Sequence, residues 1–244
     1  MTNLIDFHFH LDYYEDYRNK YKYINEKLIY TLCMTNMPEL YEANTSIFKV
    51  TKYIKFALGF NPQLAGSEKF NKRIFNKYLD TTKYIGEVGL DYSREYIGSK
   101  NKQKEIFEYI CSVVAGKDKI MSIHSRSAEE DVLSILVKNN IKYAVFHWYT
   151  GSLATLEKII KEGYYVSVNS SMMKTKKGLE IIQSIPLDRI LVESDGPFTK
   201  VGNKVSEPEN LHLIYKKLSE VLGLNSEELV NKNLKTLLCR SIQE

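Results

Sequence analysis

Two histidines near the start of the chain are spaced for metal chelation. His8 and His10 flank Phe9 in the apolar run Leu4–His10. On a β-strand, side chains two residues apart point to the same face, so both imidazoles can reach one ion. A histidine in a strand also serves as a hydrogen-bonded structural residue, and the pair alone does not decide between these roles.

Four more residues of metal-binding type occur late in other apolar, strand-like runs. They are Glu87, His124, His147 and Asp195. Taken singly, each one also fits a helix cap or a structural role in the core. Together they indicate one site, because so many buried imidazoles and carboxylates are costly without a cation to pair with. The fifth histidine, His212, lies in a helix-like stretch, and we expect it to have a surface or packing role.

Eight short runs rich in β-branched or aromatic residues are spaced along the chain, each followed by a polar, Gly-containing or Pro-containing junction. The predicted strands are Leu4–His10, Ile29–Thr35, Ile54–Phe60, Tyr84–Leu90, Ile120–His124, Tyr143–Trp148, Tyr164–Val168 and Ile190–Glu193. The candidate ligands fall in or directly after five of these runs. A fold that brings those five strand ends together would assemble the site.

Helical periodicity separates most of these strands and is clearest over residues 106–114, 132–136 and 153–160. Alternating strands and helices predict parallel strands joined by right-handed crossovers. Eight such units predict an α/β fold, a (β/α)8 TIM barrel that forms a single domain over residues 1–244. An open doubly wound sheet is the alternative.

Two local features concern the helices. Ser127 and Glu130 are spaced for a capping box at the start of one helix. Residues 37–52 have no clear period, so the second helix is the least defined element.

Four imidazoles and two carboxylates exceed the ligands of a single tetrahedral ion, which predicts two divalent metal ions. Glu87 is the best candidate to bridge them, with the two histidines of the first strand and Asp195 on one ion, and His124 and His147 on the other. Nitrogen-rich ligation favours Zn, Mn, Fe or Co over Mg or Ca, but the sequence leaves the identity open among Zn, Mn, Mg, Fe and Co. Two such ions support hydrolysis of a phosphodiester, because they activate water and stabilise the entering and leaving oxygens.

The composition restricts the class of protein. A formal net charge of +4 permits a polyanionic substrate without requiring one. Cys33, Cys111 and Cys239 are too widely spaced for a thiolate zinc site or a disulfide framework, which favours a reducing compartment. The N-terminus has no basic region followed by an apolar core, and no apolar run approaches membrane-spanning length. We therefore expect a cytoplasmic protein that does not interact with membranes.

In residue type and order, these features resemble the TatD family of metal-dependent deoxyribonucleases, a branch of the amidohydrolase superfamily built on the TIM barrel. The matching motifs run across nearly the whole chain: DFHFHLD (6–12), GEVGLDY (86–92), IHSR (123–126), HWYTGS (147–152) and ESDGPF (193–198). A narrower resemblance is to the TatD-type proteins of the bacterial Qat anti-phage defence cluster. It is carried by LGFNPQL (58–64), His147-Trp148 and DGPF (195–198).

The resemblance implies roles for individual residues. The implied metal ligands are His8, His10, Glu87, His124, His147 and Asp195. Asp195 would also accept a proton from the attacking water, and Glu87 and Glu193 are the other expected catalytic carboxylates, with Glu193 orienting water or a ligand imidazole. Arg126 would hold a substrate phosphate through its guanidinium fork, with a surface ion pair at a helix start as the alternative.

One position departs from the family pattern. The family usually has a histidine before the proline that follows the third strand, whereas this chain has Asn61-Pro62. The family histidine is expected to contact the substrate near the scissile phosphate. Asn61 can donate a hydrogen bond there but cannot carry a positive charge, which predicts weaker catalysis or altered substrate choice.

The predicted function is hydrolysis of DNA that is single-stranded or has accessible ends, because a concave pocket admits a flexible terminus more easily than an intact duplex. Aromatic residues near the strand ends are expected to stack on bases: Tyr13, Tyr14, Tyr92, Trp148 and Tyr149. One alternative is an amidohydrolase acting on an ester, amide, lactone or acylated tRNA. Another is a non-catalytic subunit of a defence complex that has protein partners and keeps its metals for stability.

Overall fold

The computed structural model describes residues 3–241, in which strands and helices alternate along the chain. The eight main strands are β1 (Ile5–Phe9), β2 (Tyr30–Cys33), β3 (Ile54–Phe56), β4 (Tyr84–Gly89), β5 (Ile120–His124), β6 (Tyr143–His147), β7 (Tyr165–Val168) and β8 (Ile190–Val192). Nearly all of their residues are buried, since helices cover the outer face and side chains fill the barrel interior.

Seven helices connect or follow the first seven strands, and two more follow the last one within the described residues. They are α1 (Tyr17–Glu26), α2 (Pro38–Ile47), α3 (Lys72–Tyr78), α4 (Lys100–Val114), α5 (Glu129–Lys138), α6 (Leu153–Lys161), α7 (Lys176–Ser184), α8 (Leu211–Leu222) and α9 (Ser226–Arg240). A short hairpin of β9 (Lys200–Val201) and β10 (Lys204–Val205) lies in the connection between β8 and α8.

The eight main strands close into a parallel barrel. β1 to β3 form one hydrogen-bonded arc and β4 to β8 form the other. Leu58 joins the arcs on one side, because its amide donates to Tyr84 O and its carbonyl accepts from Gly86 N, both at 3.0 Å. On the other side, Asp195 N donates to His8 O at 2.9 Å. The predicted (β/α)8 barrel is confirmed, and closure excludes the open doubly wound sheet.

The predicted capping box at Ser127 and Glu130 is wrong. α5 begins at Glu129, and Ser127 lies before it with a left-handed φ of 56°. Glu130 Oε1 instead accepts hydrogen bonds from Thr155 Oγ1 at 3.0 Å and from Lys158 Nζ at 2.9 Å, both on α6. Glu130 on α5 is therefore used in a contact with α6 and does not cap the start of its own helix.

The C-terminal helix closes the end of the barrel opposite the strand carboxyl termini. Asn233 Nδ2 on α9 donates to Ile190 O at 2.8 Å, at the start of β8. Tyr143, which begins β6, donates its hydroxyl to Arg240 O at 2.8 Å. The carboxyl-terminal mouth is thus left for the polar residues. No helix within residues 3–241 is both long and apolar enough to cross a membrane.

Candidate metal centre

The six candidate ligands converge at the carboxyl-terminal mouth of the barrel. They are His8 on β1, His10 just after it, Glu87 on β4, His124 and His147 at the ends of β5 and β6, and Asp195 after β8. All of them except His8 line a cavity of about 600 Å³. His8 has no exposed surface. His212 lies far along the chain, exposed on α8, as its helical context predicts.

Glu87 lies between two pairs of imidazoles. Its Oε1 is 2.7 Å from His124 Nδ1 and 3.0 Å from His147 Nε2. Its Oε2 faces the other pair, at 3.9 Å from His8 Nε2 and 3.7 Å from His10 Nε2. Each carboxylate oxygen therefore serves a different pair of nitrogens, which is the arrangement that a bridging carboxylate requires.

Asp195 completes the group around the first-strand histidines. The two Nε2 atoms of His8 and His10 are 3.1 Å apart, and Asp195 Oδ1 lies 3.8 Å from the first and 3.5 Å from the second. The backbone of Asp195 has a left-handed φ of 48°. Such a conformation costs a non-glycine residue of the order of 1–3 kcal/mol and is typical of functional sites, where the surrounding structure maintains it.

A glycine brings the strands of Glu87 and His124 together. Gly89 is paired with His124 in the parallel register of β4 and β5. Its φ is 140°, and a Cβ at this position would lie 1.9 Å from His124 O. Only glycine fits here, so this residue sets the close approach of the two ligand-bearing strands.

Three of the imidazoles have polar partners on the side away from the ligand cluster. His8 Nδ1 is 2.8 Å from Ser122 Oγ, and His124 Nε2 is 2.9 Å from Asp91 Oδ2. His147 Nδ1 faces Glu193 Oε1 at 3.6 Å. Such partners fix ring orientation and tautomer, leaving the opposite nitrogen free to bind an ion. Asp91 is not among the predicted site residues, although it lies two residues after β4 within the motif GEVGLDY.

Hydrogen bonding outweighs burial at Glu87. Burial would raise the pKa of its carboxyl, but hydrogen bonds from His124 and His147 hold this pKa well below its usual value. Burial would lower the pKa of both histidines, yet it is raised at His124 by Asp91 and Glu87, and raised strongly at His147 by Glu193 and Glu87. A cation that binds here therefore competes with protons on these rings.

The first-strand histidines differ from each other. Burial and the charge of His147 lower the pKa of His8 well below its usual value, so His8 is a neutral imidazole at pH 7. At His10, burial is outweighed by the Asp195 and Glu87 carboxylates, which raise the pKa. The site thus holds the ionised carboxylate of Glu87 and a neutral ring with a lone pair, both of which suit a divalent cation.

The predicted substrate residues occupy different environments. Asn61 lines the cavity, but its Nδ2 donates to Glu87 Oε2 at 2.7 Å and its Oδ1 accepts from Gln63 N at 2.9 Å. Arg126 lines the cavity with an exposed side chain, and none of the carboxylates in residues 3–241 forms an ion pair with it. Trp148 is half-buried in the lining, with a left-handed φ of 40°.

The aromatic rim differs from the expected one. Tyr13 and Phe198 line the cavity, are 48% and 52% exposed, and contact each other edge to face at 5.0 Å between centroids. The expectation of base stacking is wrong for Tyr14 and Tyr149, because both are buried in the core. Tyr92 lies outside the lining and donates its hydroxyl to Asp131 Oδ2 at 2.9 Å. Phe198 was not among the predicted aromatic residues, although it is the last residue of the motif ESDGPF.

Comparison with known proteins identifies the family. The sequence profile described as TatD related DNase matches residues 5–239. The chain belongs to this family. Among TatD relatives, Deoxyribonuclease Tat-D of Schizosaccharomyces pombe is 38% identical over 120 residues, which are 48% of this chain and 38% of that protein. Uncharacterized metal-dependent hydrolase YabD of Bacillus subtilis is 30% identical over 154 residues, 60% of each. The chain thus matches less than two thirds of the length of either relative.

Two solved TatD structures share the fold. YJJV, a TatD homolog from Escherichia coli K12, has a TM-score of 0.85 and 18% identity, covering 96% of this chain and 97% of that one. The hydrolase TatD family protein from Entamoeba histolytica has a TM-score of 0.78 and 18% identity, covering 97% and 98%. At this level of identity the likeness shows the fold alone.

The donor set fits divalent metal ions. Within residues 3–241, the groups His8–His10–Asp195 and His8–Glu87–His147 each place their ligand atoms within 4.8 Å of one another. This mixture of imidazole and carboxylate suits several transition metals. The prediction of divalent-metal binding agrees with these clusters and with a relative named as metal-dependent. The metal identity is left open, and the number of ions stays a prediction.

Proposed function

We propose that this TatD-family protein is a metal-dependent hydrolase that cleaves phosphodiester bonds in DNA. The observation that carries the proposal is the position of Glu87, with one oxygen toward each of two imidazole pairs at the edge of a cavity. The family profile and a relative named as a deoxyribonuclease support DNA as the substrate.

The residues of the site have different roles in the proposed reaction. The six candidate ligands would hold two divalent ions, which when bound lower the pKa of water and stabilise negative charge on phosphate oxygens. Asp195 accepts the proton of the attacking water, since its carboxylate lines the cavity and faces His8 and His10. Glu193 lies outside the cavity lining and faces Nδ1 of His147, which favours its predicted role of orienting a ligand imidazole over that of orienting water.

The cavity rim receives the substrate. Arg126 forms no ion pair with any carboxylate of residues 3–241, and its guanidinium binds a phosphate there in a bidentate manner. Trp148 offers its ring to a base. Asn61 positions Glu87 through one N–H of its amide, and the second N–H of this cavity-lining residue would contact the substrate.

The test is cleavage of end-labelled DNA by chelator-treated protein reconstituted with Zn or Mn, using single-stranded and double-stranded substrates. We expect cleavage with metal and none with chelator. Asp195→Asn should lower kcat by roughly 10²–10⁴-fold, the usual contribution of a general base. His8→Ala should abolish metal binding, and the exposed His212→Ala is the matched control that should leave both properties unchanged.

Two results would reject the proposed nuclease activity. One is the absence of cleavage of either DNA by protein that is shown to carry bound metal. The other is turnover of a carboxylic ester but not of DNA in a parallel assay, which would instead favour the amidohydrolase alternative.

We also propose that the protein acts in the cytoplasm in anti-phage defence, together with protein partners encoded in a defence cluster. The narrower motif resemblance supports this role, and Asn61, Trp148 and Phe198 from those motifs line one cavity. The free thiols of Cys33, Cys111 and Cys239 support a reducing compartment. Co-expression with the cluster should reduce phage plaques, and equal plaque counts with wild type and Asp195→Asn would show that hydrolysis is not what protects.

A further inference from the structure

The mouth of the barrel is cationic on one side. Exposed basic side chains occur in the segments that follow β5, β7 and β8. We call this set the cationic arc: Arg126, Lys174, Lys177 and Lys200. The neighbouring loop after β1, which is next to β8 in the barrel, exposes Glu15 and Asp16 instead.

Printed contacts place the cationic arc beside the cavity. Lys177 Nζ donates to Thr150 O at 2.5 Å, and Thr150 lines the cavity together with Arg126. Lys174 Nζ donates to Lys200 O at 2.5 Å. Lys200 follows the cavity-lining Phe198 by two residues. The arc therefore begins in the cavity wall and continues outward over the β7 and β8 loops.

The charges of the arc are not neutralised by ion pairs. None of the carboxylates in the part of the chain that the structure describes lies within ion-pair distance of these four side chains, whereas Lys104, Lys117 and Lys158 elsewhere are each paired with one. Glu129 interacts with Lys177 through charge, without a hydrogen bond between them. Lys174 and Lys177 each use one donor on a backbone carbonyl, which leaves two N–H donors for a ligand.

We propose that the cationic arc binds successive phosphates of a single nucleic-acid strand whose scissile phosphate lies in the cavity. This inference rests on the proposed phosphodiesterase function and adds the path of the strand. The strand leaves the cavity over the β7 and β8 loops, because the exposed lysines on those loops attract phosphates. Flexible lysines bind phosphates without reading sequence, and the exposed rings of the rim accept any base.

The test compares a long and a short substrate. The metal-loaded variant Lys174→Gln/Lys177→Gln/Lys200→Gln is assayed with two substrates. One is a single strand of about twelve nucleotides, within the usual range of site sizes, and the other is a dinucleotide. We expect kcat/KM for the long strand to fall by about tenfold or more, with little change for the dinucleotide. The slope of log K against log salt should decrease by about 2, since each lost single-strand phosphate contact removes about 0.7.

The matched control is Lys216→Gln/Lys232→Gln/Lys235→Gln, which removes the same charge from exposed positions on α8 and α9. Equal kcat/KM and equal salt slopes for the arc variant and this control would overturn the inference while leaving the nuclease intact. If the wild type cleaves neither substrate, the proposed function fails. In that case, binding of the labelled long strand is measured by fluorescence anisotropy. Weaker binding by the arc variant, but not by the control variant, would support phosphate binding by the cationic arc, and unchanged binding would overturn it.

Discussion

Asp91 shows how a residue outside the ligand set can control the site. Its Oδ2 lies 2.9 Å from His124 Nε2 and accepts a hydrogen bond from Gln63 Nε2 at 2.8 Å, while its Oδ1 accepts from Ser93 N at 2.9 Å. Because Nε2–H of His124 is directed to this carboxylate, Nδ1 is left facing Glu87. Burial opposes ionisation of Asp91, but the contact with His124 and these two hydrogen bonds lower its pKa.

Replacement of Asp91 by Asn should weaken metal binding. The change removes the negative charge that increases the basicity of His124, and outer partners of this kind typically contribute 10–100-fold in metal affinity. We expect a loss of about that size in a calorimetric titration of chelator-treated protein with Zn or Mn. Asp131→Asn is the control, because Asp131 also accepts hydrogen bonds but lies outside the cavity. Equal affinities of the two variants would show that Asp91 is only structural.

At the scale of elements, the seam between β1 and β8 aligns two ligand-bearing segments. Asp6 on β1 accepts hydrogen bonds from the backbone and the hydroxyl of Ser194, with Ser194 N at 2.8 Å. The next residue, Asp195, donates its amide to His8 O at 2.9 Å. The seam therefore sets Asp195 opposite the first-strand histidines, and any shift of β1 against β8 would separate these ligands.

The seam makes stability depend on pH. Burial raises the pKa of Asp6 from 3.8 to about 7, so the folded state binds this proton more tightly than the unfolded chain. Its contribution to the free energy of unfolding is complete below about pH 4 and is lost as the pH rises to about 7. Asp6→Asn cannot ionise at this position. From about pH 4 to about pH 7, its free energy of unfolding should therefore rise by roughly 4 kcal/mol relative to that of wild type.

Urea unfolding of metal-free protein at a series of pH values measures this difference. The altered hydrogen bonding of Asp6→Asn adds an offset that does not vary with pH, so the change in the difference with pH is the informative quantity. Asp118→Asn, at an exposed position, is the control. If the curves of wild type and Asp6→Asn stay parallel, Asp6 has the same proton affinity in the folded and unfolded chain.

At the scale of the whole molecule, closure of the barrel produces one asymmetric mouth. Residues as far apart in sequence as His8 and Asp195 meet there, while α9 covers the other end. One side of the mouth carries the cationic arc, and the aromatic pair Tyr13–Phe198 lies against His10. The molecule thus combines a deep cluster of candidate ligands with a rim of exposed basic and aromatic side chains.

Much of this organisation could be predicted from local pattern. The eight strands were found within a few residues of their bounds, although β3 ends at Phe56 rather than Phe60. Residues 37–52 lacked a clear period because α2 fully buries only Pro38 and Tyr41. The candidate ligands could be chosen because imidazoles and carboxylates at the ends of buried strands are costly without a partner. These features depend on the alternation and burial of neighbouring residues, which the chain carries locally.

Local sequence pattern was therefore enough to predict the barrel, the six candidate ligands and their meeting at one mouth. The partner that each polar group takes follows only from the folded structure: Glu130 binds α6 instead of capping α5, Asn61 holds Glu87, and Asp91 orients His124. The folded structure also decided that Tyr149 is buried while Phe198 reaches the rim. The physical reason is that a hydrogen bond or a buried ring depends on the atoms that barrel closure brings within a few ångströms, and these come from distant parts of the chain.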